Sequence, residues 1–353
     1  MNSMTTTASE QAQALVGRHY RATDHYEVGR EKIREFARAV QDGHPAHRTE
    51  SAAQDLGYDA LIAPTTFASI LWVLVQHNMF ESVLTGYDIS QILQTEQSIK
   101  LHRPITAGDR IQCDSVVESF RQFGDKDFMV VKNVLSNQHK ELLQTAHTTV
   151  VAQTGAEVAD AVEEAVDGVI MSGQSLAARS QAESCRDEPS IVECFDEVIP
   201  DNVVDETQSR TPRTIPAFEE LTVGMELPVS EARVSRGDLV NYAGVSGDSN
   251  PIHFSDKVAA AVGLPDVVAH GLLTMGLGAS YLSRWLGDPA AITEYGVRFA
   301  GFAPVPAAAH SGVEFRGRVK SLDAEQRSAT IALTGTCAGR KLFGRATAVV
   351  QLR

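Results

Sequence analysis

The sequence predicts an α+β protein built from two copies of one domain, each a curled antiparallel sheet wrapped around a buried helix. Three observations carry this reading. Residues 36–47 and 242–253 share an aromatic-Ala pair, an Asp, a Pro and a His at a constant offset of 206. Each copy is followed by a helix-length segment that is apolar nearly all round. Each of those segments is followed by a run of strand-like stretches divided by turns.

The elements take the same order in both halves. A polar helix-like stretch comes first, at Glu31–Val40 and Arg236–Val245, and leads into Asp42 to His47 or Asp248 to His253. A central helix follows, Thr65–Val83 with Ile70, Leu71, Leu74 and Val75, and Gly271–Leu286 with Leu272, Leu273, Met275 and Leu277. A helix apolar on nearly every side is one covered on most sides. The strands expected next are Arg110–Phe120, Phe128–Asn137 and Glu141–Val151, then Gly312–Val319, Ser328–Thr336 and Lys341–Leu352. Gly124-Asp125-Lys126 and Ser136-Asn137 supply turns between them. The repeat extends outward, since Val16-Gly17 faces Val223-Gly224 with one residue of slippage and Ala63 faces Ala269. Duplication of a whole domain explains that spacing; a solenoid of short units does not.

The copies are expected at residues 14–152 and 217–353, with an acidic linker at 153–216. Of the formal net charge of −14, most sits between Gly155 and Arg213, where 14 Asp or Glu face 4 Arg. Such a stretch reads as a connector, with Val158, Val162, Ala165 and Val169 at the spacing of a short surface helix. An acidic chain is a poor nucleic-acid binder, because phosphate contacts need an excess of Lys and Arg. The start of the chain has no basic stretch leading into an apolar one, so no secretion signal is expected. The apolar runs Ile70–Val75 and Leu272–Leu277 fall well short of the ~20 residues of a spanning helix. Cys113, Cys185, Cys194 and Cys337 show no metal-binding spacing and suit the reduced thiols of a cytoplasmic protein. No metal and no cofactor are expected.

The most informative stretch is Tyr242-Ala-Gly-Val-Ser-Gly-Asp-Ser-Asn-Pro-Ile-His253, followed by Ala269-His270-Gly271. An Asp and a His five residues apart on one short loop can converge on a single water or hydroxyl, as general acid–base catalysis requires. Asn250 and Pro251 shape the loop between them. Gly271 stands where the central helix begins, and its backbone N–H could polarise a carbonyl while His270 braces the loop or lines the pocket.

This stretch resembles the hydratase-2 motif of MaoC-type hot-dog proteins. The first half, with Arg103-Pro104-Ile105-Thr106-Ala107-Gly108-Asp109, resembles the partner subunit of the actinobacterial two-component (3R)-hydroxyacyl-carrier-protein dehydratase. The resemblance implies a double hot-dog, a fusion of two subunits that forms a pseudo-dimer within one chain and leaves further dimerisation open. It implies reversible dehydration of (3R)-hydroxyacyl thioesters to trans-2-enoyl thioesters, carried on acyl carrier protein or coenzyme A. His253 would take the C2 proton while Asp248 orients or protonates the C3 hydroxyl. The process implied is fatty-acid elongation of the mycolic type, beside other enzymes of a type II fatty-acid synthase. An (R)-specific enoyl-coenzyme A hydratase of fatty-acid degradation and a non-catalytic acyl-thioester binder are the alternatives. Thioester hydrolysis is disfavoured, because Gly271–Leu286 contains no Asp or Glu.

The first half keeps Asp42 and His47, but carries His44 in place of Asn250 and Pro64-Thr65 in place of His270-Gly271. It reads as a degenerate copy that accommodates the acyl tail past Phe67, Ile70 and Trp72, with Ser246 as a further substrate contact. Arg316, Arg318, Arg340 and Arg345 are candidates for docking the carrier.

Overall fold

The structure is a computed structural model; it describes residues 7–82, 84, 87, 92–153, 165, 166, 168–170, 192–195 and 211–353. In the first half, α1 (Ala8–Ala14), β1 (His19–Ala22), β2 (Tyr26–Glu27), α2 (Arg30–Ala39) and α3 (Glu50–Asp55) lead to the central helix α4 (Ser69–Ser82). Strands β3 (Ile92–Leu101), β4 (Arg110–Phe123), β5 (Lys126–Ser136) and β6 (Leu142–Gln153) follow, then β7 (Val192–Phe195). The second half has β8 (Ser230–Val234), α5 (Arg236–Ser246), α6 (Asp256–Ala261), the central helix α7 (Gly271–Leu286) and strands β9 (Ile292–Phe299), β10 (Ser311–Asp323), β11 (Ser328–Cys337), β12 (Arg340–Lys341) and β13 (Phe343–Gln351). The composition is α+β, as expected.

The strands form a single sheet in the order β7-β1-β4-β5-β6-β3-β9-β13-β11-β10-β8, with β2 and β12 as side branches on β4 and β11. Strands β3 and β9 join the halves antiparallel, Ser98 opposite Gly296 and Ile99 opposite Tyr295. Neither strand is legible in the expected set. Ile92–Leu101 alternates poorly and carries Gln94, Glu96 and Gln97, and only its pairing with β6 and β9 makes it a strand.

The central helices sit on the inner side of the sheet. Thirteen of the sixteen residues of α7 are buried, and it closes on Gly287 at φ 72°, the left-handed conformation that glycine adopts without strain. Its small residues let the other half approach: a Cβ on Gly276 would stand 2.6 Å from Val40 Cγ1 and 3.2 Å from Thr66 Oγ1. Helix α4 begins at Ser69 rather than at Thr65. Pro64 lacks an N–H and its carbonyl accepts from Phe67 at 2.8 Å, a tight turn in place of the first α-helical turn.

The expected linker lies largely outside the described residues, including Val158, Val162 and Cys185. Where it is described it is more than a connector, since Val192–Phe195 adds a strand beside β1. Residues 213–216 bind back onto the second half, with Arg213 N donating to Asp288 Oδ2 at 2.9 Å and Ile215 N to the Leu286 carbonyl at 2.6 Å. No helix among the described residues is long and apolar enough to cross a membrane.

Candidate active site

Helix α5 and the loop after it place the motif. Ser235 caps the helix reciprocally with Asp238, and Gly247, at φ 80°, ends it in the left-handed region and turns the chain outward. Asp248 follows immediately. The Ser246 hydroxyl donates to the Tyr242 carbonyl at 2.7 Å and accepts from Asp248 N at 3.2 Å, so this side chain holds the Asp248 backbone. Asp248 Oδ1 accepts from Asn250 N, and Asn250 Oδ1 caps a 3-10 turn, Pro251–His253, by accepting from Ile252 N at 3.2 Å. That turn carries His253 back beneath the loop.

His253 is buried, and its Nδ1 lies 2.7 Å from the Val268 carbonyl. A carbonyl only accepts, so Nδ1 carries the proton and Nε2 presents a lone pair. Burial holds the His253 pKa below the ordinary histidine value, and the Asp248 carboxylate pulls it partly back up. His270 stacks on the His253 ring with centroids 3.7 Å apart and planes 26° apart. Its Nε2 donates to the Asp248 carbonyl at 3.2 Å, while its Nδ1 is buried without a partner. Burial, then the neighbouring His253, push its pKa down to about 3, so it is a neutral brace. Gly271 begins α7 with its face toward the Phe299 ring, 3.4 Å from where a Cβ would stand.

Donor atoms of Asp248, His253 and His270 lie within 4.8 Å of one another. Each imidazole has one nitrogen committed to a backbone carbonyl, which leaves one nitrogen of each ring for a further partner. The arrangement suits proton transfer between Asp248, His253 and one bound hydroxyl.

The first half repeats the scaffold and closes it. His47 Nδ1 lies 2.7 Å from the Ile62 carbonyl and Asp42 Oδ1 accepts from His44 N, bond for bond the arrangement of the second half. His44 Nδ1 takes over the capping role of Asn250 by accepting from Ala46 N at 3.2 Å. Its other nitrogen reaches across to the Gly287 carbonyl at 3.0 Å. His47 is 0% exposed and Asp42 3%, and the His47 Nε2 has no hydrogen bond, the Asp42 carboxylate standing 3.4 Å away. This second dyad is shut off from solvent.

Phe67, Ile70 and Trp72 are all buried in the first half. Phe67 stacks edge-on against Phe36 at 5.5 Å, Phe36 faces Tyr242 at 6.3 Å, and Tyr242 faces His270 at 4.9 Å. A continuous row of rings thus links the first-half core to the Asp248–His253 loop. Arg316 pairs with Glu314 at 2.8 Å and Arg345 with Glu96 at 3.0 Å, and both, with Arg318, point away from the core. Arg340 lies on the short β12. The four arginines are spread over three strands. The Val268 and Ile62 carbonyls were not singled out from the sequence, yet each lies fifteen residues beyond its histidine, a spacing that the repeat duplicates.

Residues 14–160 match the family described as FAS1-like, dehydratase domain region, and residues 219–334 match the MaoC like domain. A UPF0336 protein of Mycolicibacterium paratuberculosis is 40% identical over 143 residues, which are 40% of this chain and 90% of that protein. One from Mycobacterium tuberculosis is 42% identical over 139 residues, 39% of this chain and 84% of its own length. A solved structure described as a MaoC-like dehydratase is 43% identical, covers 97% of this chain and 100% of its own, and superposes with a TM-score of 0.85. A Mycobacterium tuberculosis protein described as a double hotdog fold shares the fold at 11% identity, covering 96% of each chain with a TM-score of 0.58.

Proposed function

Because the chain belongs to the MaoC-like dehydratase family and has a double hot-dog fold, we propose that it dehydrates (3R)-hydroxyacyl thioesters reversibly to trans-2-enoyl thioesters, at one site built on Asp248 and His253. The observation that carries this reading is the contrast between two equivalent dyads. His47 and Asp42 are 0% and 3% exposed, whereas Asp248 is half-buried and His253 keeps 7% of its surface exposed.

The chemistry follows from the tautomer. With Nδ1–H held by Val268, neutral His253 accepts the C2 proton at Nε2. The imidazolium formed is stabilised by the Asp248 carboxylate, which already raises its proton affinity. The electron pair left at C2 forms the double bond as the C3–O bond breaks. The same proton then leaves His253 with the departing hydroxide as water, and the pair returns to its starting state. Asp248 orients the hydroxyl. Negative charge that builds on the thioester oxygen is met by the Gly271 N–H at the start of α7. Hydration runs the same steps backward. Coenzyme A and acyl carrier protein both fit as carriers on this reading.

Loss of enoyl absorbance on incubation with crotonyl-coenzyme A tests the proposal. Wild type is expected to hydrate it, and Asp248→Asn and His253→Ala to lose about 10²–10⁴-fold in kcat. Turnover by neither wild type nor a longer-chain series on either carrier would leave the chain a thioester binder.

A further inference from the structure

Asp42 and Asp248 leave their helices by different caps. In the first half Asp42 N donates to the Ala37 carbonyl at 2.7 Å and Gln41 N to the Arg38 carbonyl at 3.1 Å, while Gln41 turns at φ 53°. This is the Schellman ending, in which the chain beyond the cap folds back onto the last helical turn. In the second half the carbonyl at the same place, that of Ala243, is taken one residue earlier, by Gly247 N at 2.9 Å. That single-bond ending leaves the Asp248 N–H without a helix carbonyl. Its acceptor is instead the Ser246 hydroxyl at 3.2 Å, whose own proton goes to the Tyr242 carbonyl at 2.7 Å.

The Asp248 carbonyl is held as well, by His270 Nε2 at 3.2 Å. Both grips are side chains, and the first half lacks both. At the offset of 206 that aligns the copies, Val40 stands for Ser246 and Pro64 for His270. Neither of those side chains carries a donor or an acceptor. Val40 is 1% exposed and serves packing, its Cγ1 lying 2.6 Å from where a Cβ on Gly276 would stand. In the second half, by contrast, the Asp248 backbone is fixed at its N–H and at its C=O. Only side-chain torsions are then left to move the carboxylate.

We infer that Ser246 is a positioning residue: its hydroxyl, with His270 at the other end of the same residue, clamps the Asp248 backbone and so holds the carboxylate beside His253. This rests on the acid–base reading above and adds to it the group that fixes one of its two members. An Asp and a His five residues apart occur in both halves, whereas the clamp occurs only where the Asp is half-buried rather than enclosed. A displacement of about 1 Å in a group that orients a substrate costs on the order of 10²-fold in rate. One hydroxyl bond at this place therefore weighs more in turnover than in stability.

Ser246→Ala, which removes the hydroxyl, and Ser246→Thr, which keeps it, test this on the full chain. Two quantities are read: crotonyl-coenzyme A hydration, and the pH titration of the His253 imidazole by NMR. The Asp248 carboxylate raises the His253 pKa, so a carboxylate that has moved away lets it fall. Ser246→Ala is expected to lower kcat about 10- to 100-fold with KM little changed, and to lower the His253 pKa as Asp248→Asn does. Ser246→Thr is expected to retain both, and Ser246→Ala to add nothing to the titration of Asp248→Asn. An unmoved titration or an unchanged kcat in Ser246→Ala, or losses that Ser246→Thr shares in full, would overturn the inference. Absence of hydration by wild type would remove the proposed reaction, and the titration alone would still decide whether Ser246 places the carboxylate.

Discussion

His253 and His47 make the same bond, each Nδ1 lying 2.7 Å from a carbonyl fifteen residues downstream, yet His47 is entirely enclosed. One scaffold thus recurs in both halves, and on the proposed reading it serves catalysis in one and structure in the other. His47→Ala is expected to leave kcat within about twofold while costing 2–4 kcal/mol of stability, since it empties a buried site and strands the Ile62 carbonyl. Urea unfolding combined with activity per folded molecule measures both. A large loss of kcat at full stability would show that the first dyad takes part in the chemistry.

Gly271 permits a clean test of the helix N–H. It is the first residue of α7, where proline is well tolerated, and His270 at φ −55° and ψ 136° already has the extended backbone that precedes proline. Gly271→Pro should therefore keep the fold and delete one donor. A drop of about 10²–10³ in kcat with an almost unchanged melting temperature is the expected result. Unchanged turnover would place the oxyanion elsewhere.

The histidines make the protein acid-sensitive. His253 and His270 are both held below their ordinary value by burial, first and foremost, so at acid pH the unfolded chain binds protons that the folded one refuses. The contribution is absent above the unfolded value, roughly 6.5, and stability falls as pH drops below it toward the folded values, about 3 for His270. Melting curves from pH 7.5 to pH 5 should show a decline that His270→Phe makes shallower. An identical decline in both proteins would mean that His270 is already protonated in the fold.

The carboxylate beside His253 acts in the opposite direction. Because Asp248 raises the His253 pKa against the larger effect of burial, Asp248→Asn should lower it further. Titration of the imidazole resonance by NMR reads this directly, and a rise in the variant would contradict the assigned geometry.

The junction between the halves is set by a missing side chain. Gly276→Ala would press a methyl to 2.6 Å from Val40 Cγ1, and the expected cost is about 1–3 kcal/mol. Gly244 makes the control: it is an exposed position within α5 with nothing within 4 Å of a Cβ, where alanine should add about 0.5–1 kcal/mol. Differential scanning calorimetry separates the two signs.

The sequence by itself determined the duplication, the two central helices and the Asp248–His253 loop. Those features are local: the Asp-to-His spacing, the helix apolar on all sides and the glycines at helix ends each act within a few residues of themselves. The tertiary structure alone decided which dyad is open. Asp42 and His47 keep their spacing and their hydrogen bonds, and what closes them comes from far along the chain, with His44 bonded to Gly287. The joining of two sheets through β3 and β9 was decided the same way. Ile92–Leu101 has too mixed a pattern to declare itself a strand, and its backbone groups find partners only when Leu142–Gln153 lies on one side of it and Ile292–Phe299 on the other. The burial of Gln97, Asn133 and Gln144 was decided there too: amide side chains are mostly exposed, and only the assembled first-half core encloses these three.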